Sequence, residues 1–451
     1  MANESLTYNR FEIFSNEDKT SVDLRAGSPV FEYRESVFTY YVTVSCSIVD
    51  VGTTIPKDGR LVSLLEGLKC QGGEKVLLSV SDDKGNKIDL SEEDSLRLAV
   101  VRDINETFKS TSFTITLFSP EYIEGFDENN YCYDLYSGKV SDVVMNVVTN
   151  NLKSNKPFVG IDRSKNEISL HGLGKEPIEF LTDCQMLAVP DENQNGESVN
   201  TMAGYLFWQT SEGFNFKSLD SIFKFGGKYL KYRDSNNKKI KHYVETFRSG
   251  DDSVPLGFAD KILHSSFSRT IDLIAQFQSG AYGARLETMD HVASTYSDTE
   301  LSTSEEGNRI IAGRNLPNFG EYSERITTKI SMPKAKGQTT VNGDSLKKQV
   351  ENTDKEKYDV NAVVLQSLQN YRQKMNFSVQ IIIPGDFSLH AGDLIYCEFR
   401  ELSNGKTTLS SKDRNSGIYM IADLCHFGNK AKTFTGLHLV RDSYGAKSSN
   451  G

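Results

Sequence analysis

Apolar and polar residues alternate with a period of two at both ends of this 451-residue chain, and helical patterns interrupt the alternation in between. Half-buried sheets require that pattern, because successive side chains of a strand point to opposite faces. Near the N-terminus it predicts strands at Phe38 to Val51, Lys75 to Ser81, Leu96 to Ile104 and Ser112 to Ser119, bounded by Gly, Pro, Asp and Asn. Near the C-terminus it predicts Phe377 to Ile383, Leu394 to Phe399, Ile418 to Leu424 and Thr433 to Val440, with turn-forming PGD, HAGD and SNGK between them. Strands that follow one another without long helices imply an antiparallel barrel or sandwich.

The middle of the chain changes period. Val140, Val143, Val144, Val147, Val148 and Leu152 fall on one helical face, with Ser137 as the expected N-cap. Leu219, Ile222 and Phe223 predict a short helix stopped by Gly226 and Gly227. Residues 261–293 read as sheet, with Ile271 to Phe277 leading into SGAYGARLETMDH. Ser331 to Lys357 has no aromatic residue and is expected to be an exposed arm ordered by a neighbour, while Asp359 to Gln373 predicts a helix.

Two stretches can be laid side by side: LAVVRDINETFKSTSFTITLFSPEY at 98–122 and IYMIADLCHFGNKAKTFTGLHLVRDSY at 418–444. Each has an Asp near the end of a strand, a polar turn, and a strand entered beside Phe and Thr. Nine residues separate Asp103 from Phe113 and ten separate Asp423 from Phe434. The pairing suggests a repeat, although two ordinary hairpins can match by chance over so short a stretch.

Candidate chemistry is sparse. The six cysteines (46, 70, 132, 184, 397, 425) form no CxxC, and the seven histidines (171, 242, 264, 291, 390, 426, 438) form no HxH or HExxH. No metal, cofactor or catalytic residue is assigned. Cys425 and His426 should face opposite sides of a strand. GxSxG is missing, and GNKAKT at 428–433 lacks P-loop spacing and reads as a hairpin tip. Glu92, Glu93 and Asp94, or Asp251 and Asp252, are the acidic groups a glycosidase reading would use. The formal charge of −10 disfavours wrapping nucleic acid, and the basic run from Lys228 to His242 reads as a solvated strand pair and turn. No apolar run reaches the ~18 residues of a membrane span, and the N-terminus lacks signal-peptide order, so the chain is expected to be made in a cytoplasm without membrane insertion of its own.

Several blocks together resemble the central baseplate hub family of T-even-type contractile phages. They are LYSGKVSDVVMNVVTNNL at 135–152, GYLFWQTSEGFNFKSLDSIFKFGGKY at 204–229, SGAYGARLETMDHVASTY at 279–296, VQIIIPGDFSLHAGDLIYCEF at 379–399 and GIYMIADLCHFGNKAKTFTGLHLVRDSY at 417–444. The resemblance implies a mainly β fold with α+β insertions: two tube-type antiparallel β-barrels plus peripheral domains. It places the first barrel at 1–120 and the second at 261–293 plus 371–440. Peripheral parts fall at 121–260 and at 294–370, the latter carrying the polar arm 331–357, and 441–451 is a tail. It further implies a homotrimer in the virion tail baseplate, touching the central spike, the tail tube or its initiator proteins, and baseplate wedge proteins, with DNA only in transit. Asp103, Phe113, Asp423 and Phe434 would set the two hairpins, and Gly385, Gly392 and Asp393 the turns of the second barrel. Two other readings stay open: a tail-associated peptidoglycan glycosidase, and a virion glycan-binding or adhesin module, for which the single Trp208 offers little aromatic platform.

Overall fold

The computed structural model describes residues 6–17, 20–57, 59–91, 96–191, 202–226, 232–246, 260–269, 272–290, 294–302, 311–314, 316–322, 328–333, 360–403, 406–409 and 414–445. Within them the chain is mainly β, and fifteen strands join into one continuous sheet. Six strands come from the N-terminal end: β1 (Thr7–Phe14), β2 (Val30–Ser36), β3 (Thr43–Asp50), β4 (Lys75–Ser81), β5 (Leu96–Glu106) and β6 (Thr111–Phe118). Six more follow much later: β7 (Lys241–Glu245), β8 (His264–Arg269), β9 (Phe377–Pro384), β10 (Leu394–Glu398), β11 (Gly417–Gly428) and β12 (Thr433–Arg441).

Both groups curl into barrels by the same route. In the first, neighbours run β2-β3-β6-β5-β4-β1, and in the second β8-β9-β12-β11-β10-β7. The segment leading into the first strand of each set closes the gap. Ser21–Asp23 pairs with β1, and Lys261–Ile262 pairs with β7, while the Leu263 amide donates to the Ile382 carbonyl at 2.8 Å. Pairing is antiparallel except at β7, which lies parallel to β10 and to Lys261–Ile262.

One apolar cluster fills both barrels. It runs from Phe11, Phe31, Tyr33 and Val76 through Ile115 and Leu117 to Phe387, Ile421, Leu437 and Leu439. Alternation supplies these residues: in β3 every second side chain is buried, as the period-two pattern requires. A second core lies under α1 (Val140–Asn150) and α2 (Pro177–Leu187), where the Val140–Leu152 face meets Phe180, Tyr205, Phe207 and Phe216. That face is therefore intramolecular core.

Local differences from the sequence expectations have local causes. Ser137 is not an N-cap but lies in a strand, Leu135–Lys139, paired with Glu167–His171; helix α1 starts only at Val140. The strand expected from Phe38 begins only at Thr43, because residues 37–42 form a turn and bend. The stretch expected as strand before Gly280 is instead α3 (Leu273–Ser279), with the Asp272 side chain accepting from the Ala275 amide and Gly280 closing it at φ 70°. Gly283–Asp290 is a strand outside the second barrel: it pairs with Thr295–Ser302 and Thr328–Pro333. Its Ala284 and Leu286 pack on Ala362 and Leu365 of α4 (Val360–Lys374). Alternation identified the strand, but its partner was set by the apolar face of α4. Of the expected arm, Ser331–Pro333 ends the last of these strands, and 334–357 lies outside the described residues.

Helix α4 is tied to the second barrel by charge. Lys374 is buried, with its ammonium 2.9 Å from Asp442 and 3.7 Å from Asp220, over the Phe223 ring. Replacing Lys374 with Met leaves two buried carboxylates without their cation and should cost about 3–5 kcal/mol. A lowered midpoint in urea unfolding is the expected reading; an unchanged midpoint would show that the pair contributes nothing net.

Candidate functional site at the seam between the barrels

The barrels meet edge to edge. Six successive residues of β11, Asp423 to Gly428, pair antiparallel with Ser36 back to Phe31 of β2. The seam is continued by the Val37 amide, which donates to the Ala422 carbonyl at 2.9 Å. Across it, the Phe31 and Phe387 rings lie 6.4 Å apart and the Phe387 amide donates to Asp82 at 3.1 Å.

Glu35 is the charged centre of this seam. Its side chain is fully buried, yet it accepts from the Tyr33 hydroxyl at 2.5 Å, the Ala391 amide at 2.9 Å, the Ser211 amide at 3.0 Å and His390 Nδ1 at 3.1 Å. Burial pushes this carboxyl up, but the His390 charge and the hydrogen bonds outweigh it and hold Glu35 below its ordinary range. Burial would lower His390; the Glu35 charge and hydrogen bonds to Glu212 and Glu35 instead raise it to about 10. The group thus locks together β2, the turn before β10 and the loop at Ser211. On the other face, Asp423 accepts from Ser36 at 2.5 Å and from His438 at 2.7 Å, and those bonds keep it ionised despite partial burial.

The sequence-predicted residues are not gathered into one place. Asp423 belongs to the seam. Asp103 is exposed on β5 with φ 56°, beside Arg102, and does not make an equivalent contact. Phe113 is buried in the first core opposite Ile48, whereas Phe434 faces outward and meets Phe427 at 5.7 Å. Gly385 approaches Thr433 so closely that a Cβ would stand 2.2 Å from its Oγ1. Gly392 has φ +87°, and a Cβ there would meet Trp208 at 2.4 Å. Asp393 accepts from the His390 amide and from Lys238, both at 3.2 Å. Sequence reasoning missed Glu35, His390 and Glu212; the signal available was a Glu at an inward position of an alternating strand.

The hairpins β5–β6 and β11–β12 match when counted from their four-residue tips. Thr111 then corresponds to Thr433, Phe113 to Thr435, Ile115 to Leu437 and Leu117 to Leu439. Each carries an extra residue at the same distance from the tip, Ala99 in β5 and Ala422 in β11. The pairing of Asp103 with Asp423 and of Phe113 with Phe434 is therefore out of register: counted from the tips, Phe434 corresponds to Ser112 and Asp423 to Val100, and β5 holds a second bulge at Asp103–Ile104 that β11 lacks.

Buried carboxylates are committed to structure. Glu121 binds Ser154 and Lys156, Asp386 binds Lys241 and Tyr243, Asp50 holds the Gly52 and Leu64 amides, and Glu74 holds Gln71 and Gly72. Glu92–Asp94 and Asp251–Asp252 lie outside the described residues. Among the described residues no three His, Cys, Asp or Glu side chains are placed to share a metal ion. Burial lowers His426 to about 4, so it is neutral and hydrogen-bonds Thr435 at 2.9 Å.

No family model matches the sequence, and no curated protein does. Solved structures similar in outline include a 43 kDa tail protein of prophage MuSo2 from Shewanella oneidensis, at 10% identity and TM-score 0.46, covering 96% of this chain and 98% of that one. A tail protein from Neisseria meningitidis MC58 is similar at 8% identity and TM-score 0.48, covering 97% of each chain. Prophage tail protein gp18 from Listeria monocytogenes EGD-e is similar at 10% identity and TM-score 0.46, covering 95% of this chain and 94% of that one.

Two outcomes are expected at the seam. Because the folded pKa of His390 lies above its free value of 6.5, its proton stabilises the fold fully below about pH 6.5 and the effect fades as pH rises to about 10. Glu35, shifted down, keeps its contribution until pH falls below its ordinary range. His390→Gln should cost about 3–5 kcal/mol at pH 7, and between pH 7 and 10 it should lose less stability than the native chain. Parallel urea-unfolding curves across that range would contradict the assignment. Gly392→Ala should cost about 2–4 kcal/mol through strain and overlap with Trp208, measured as a lower melting temperature.

Proposed function

We propose that this chain is a structural hub of a contractile phage tail baseplate, a homotrimeric ring that joins a sixfold tail tube to a threefold central spike. The observation that carries the reading is the tandem barrel: one chain holds two barrels of the same strand order, joined edge to edge. Three copies would present six similar barrels to a sixfold partner while keeping threefold symmetry for the other, which is the task of a symmetry adaptor. The sequence blocks that resemble the T-even hub family fall in the second barrel and in the insertions between the two barrels.

In this reading the N-terminal barrel and the barrel of β7–β12 form the ring, and the α1–α2 and α4 regions form its periphery. Spike, tube or tube-initiator, and wedge proteins are the partners, and DNA passes through the central opening. The chain's net negative charge suits a wall that must not hold phosphates. Its work is assembly rather than turnover, and the occupied buried carboxylates favour this over the glycosidase reading.

Native mass of the purified chain, alone and with its spike, tests the proposal. Three chain masses and a ring with a central opening in low-resolution images are expected, with no release of sugar from peptidoglycan. A monomer under both conditions, or turnover abolished by replacing one carboxylate, would overturn it.

A further inference from the structure

The two barrels are equivalent in topology but not in exposure, and the difference lies at one edge. In β11, residues Asp423 to Gly428 are paired on both sides, by β12 and by β2. The corresponding part of β5, Val100 to Glu106, pairs only with β6, and no strand lies along its other edge among the described residues. Ala422 is buried under the seam, while its counterpart Ala99 is exposed. The repeat also maps β2 onto β8, since β2 pairs with β3 as β8 pairs with β9. The outer edge of β2 is covered by β11; that of β8 is uncovered among the described residues.

We propose that the Val100–Glu106 edge of β5 pairs with the His264–Ser268 edge of β8 in a second copy of this chain, repeating between chains the antiparallel seam that β11 and β2 make within one. The register carries over directly. Gly428 opposite Phe31 becomes Glu106 opposite Ser265, and Phe427 opposite Glu32 becomes Asn105 opposite Ser266. Relative to the internal seam each strand then holds one additional residue, within Asp103–Ile104 on β5 and within Phe267–Ser268 on β8. The two insertions face each other, so the register survives and Ile104 comes opposite Phe267. Both are exposed large apolar side chains, at 52% and 39%. Phe108, fully exposed at the hairpin tip, takes the place that Lys430 occupies beside the first barrel.

A joint between two different edges is head to tail, so it closes only as a ring or runs on as a filament. Closure at three copies rests on the hub reading above; the edge correspondence rests on the repeat alone. It also covers two sheet edges that otherwise invite indiscriminate pairing.

The test uses the full chain. Asn105→Cys combined with Ser266→Cys should give, under mild oxidation at high concentration, covalent multimers closing at three, while each single variant gives none of that species. Ile104→Asp, at an exposed position, should leave the melting temperature of the isolated chain nearly unchanged but move the assembly midpoint to about tenfold or higher concentration. Trimers that persist in Ile104→Asp and give no cross-link in the double variant would overturn the joint while leaving the hub reading intact. A native chain that stays monomeric and a double variant that never cross-links would overturn both.

Discussion

The ladder between Ser36–Phe31 and Asp423–Gly428 joins residues almost four hundred positions apart, and the architecture depends on it. Without it the chain would hold two barrels on a long, heavily inserted tether, free to reorient. With it, β2 and β11 become inner strands of one sheet and the barrel cores merge. Backbone pairing alone specifies register weakly, because a slip of two residues preserves the faces. Glu35 supplies the missing specificity. A buried carboxylate needs all of its partners, and only one register brings His390 and the Ala391 and Ser211 amides to it together.

That arrangement explains the two glycines in the segment before β10. The turn carrying His390 must lie against both Glu35 and Trp208, whose indole donates to the Ala391 carbonyl at 2.9 Å. Gly392 is the residue that lets the chain pass at positive φ with no side chain beneath the ring. Gly385, without a positive φ, makes a close approach to Thr433 at the other end of the segment, where a Cβ would overlap its side chain. The seam, the indole and the two close approaches are parts of one packing solution.

Much of this was legible in the sequence wherever local chemistry decides the outcome. Lys75–Ser81 was read to the residue, and the helix at Val360–Lys374 to within one residue at each end, because period and apolar content suffice there. Partnership was not legible. Gly283–Asp290 alternates like a barrel strand, yet Ala284 and Leu286 are small enough to sit on α4, and that contact is set by residues far along the chain. The Leu273–Ser279 helix was hidden by its apolar run, and the signals that decide it are its ends, Asp272 and Gly280. Glu35 escaped for a different reason: a single acidic residue in an alternating strand does not reveal whether a cation will meet it.

The repeat shows how a correct inference can rest on the wrong residues. Matching Asp103 with Asp423 and Phe113 with Phe434 placed like beside like, but one Phe is core and the other is surface. Side-chain identity is under little constraint between the barrels, since Phe113 and Thr435 serve the same inward position. Backbone features are under more. A bulge in a long strand sets its bend and twist, and both barrels need that bend at the same height to curl back on themselves. Ala99 and Ala422 therefore mark the equivalence more reliably than the larger residues around them. The second bulge at Asp103–Ile104 lies where β5 has a neighbour on one side only, so an added residue there displaces no second strand within the chain; in the joint proposed above it would meet the added residue of β8.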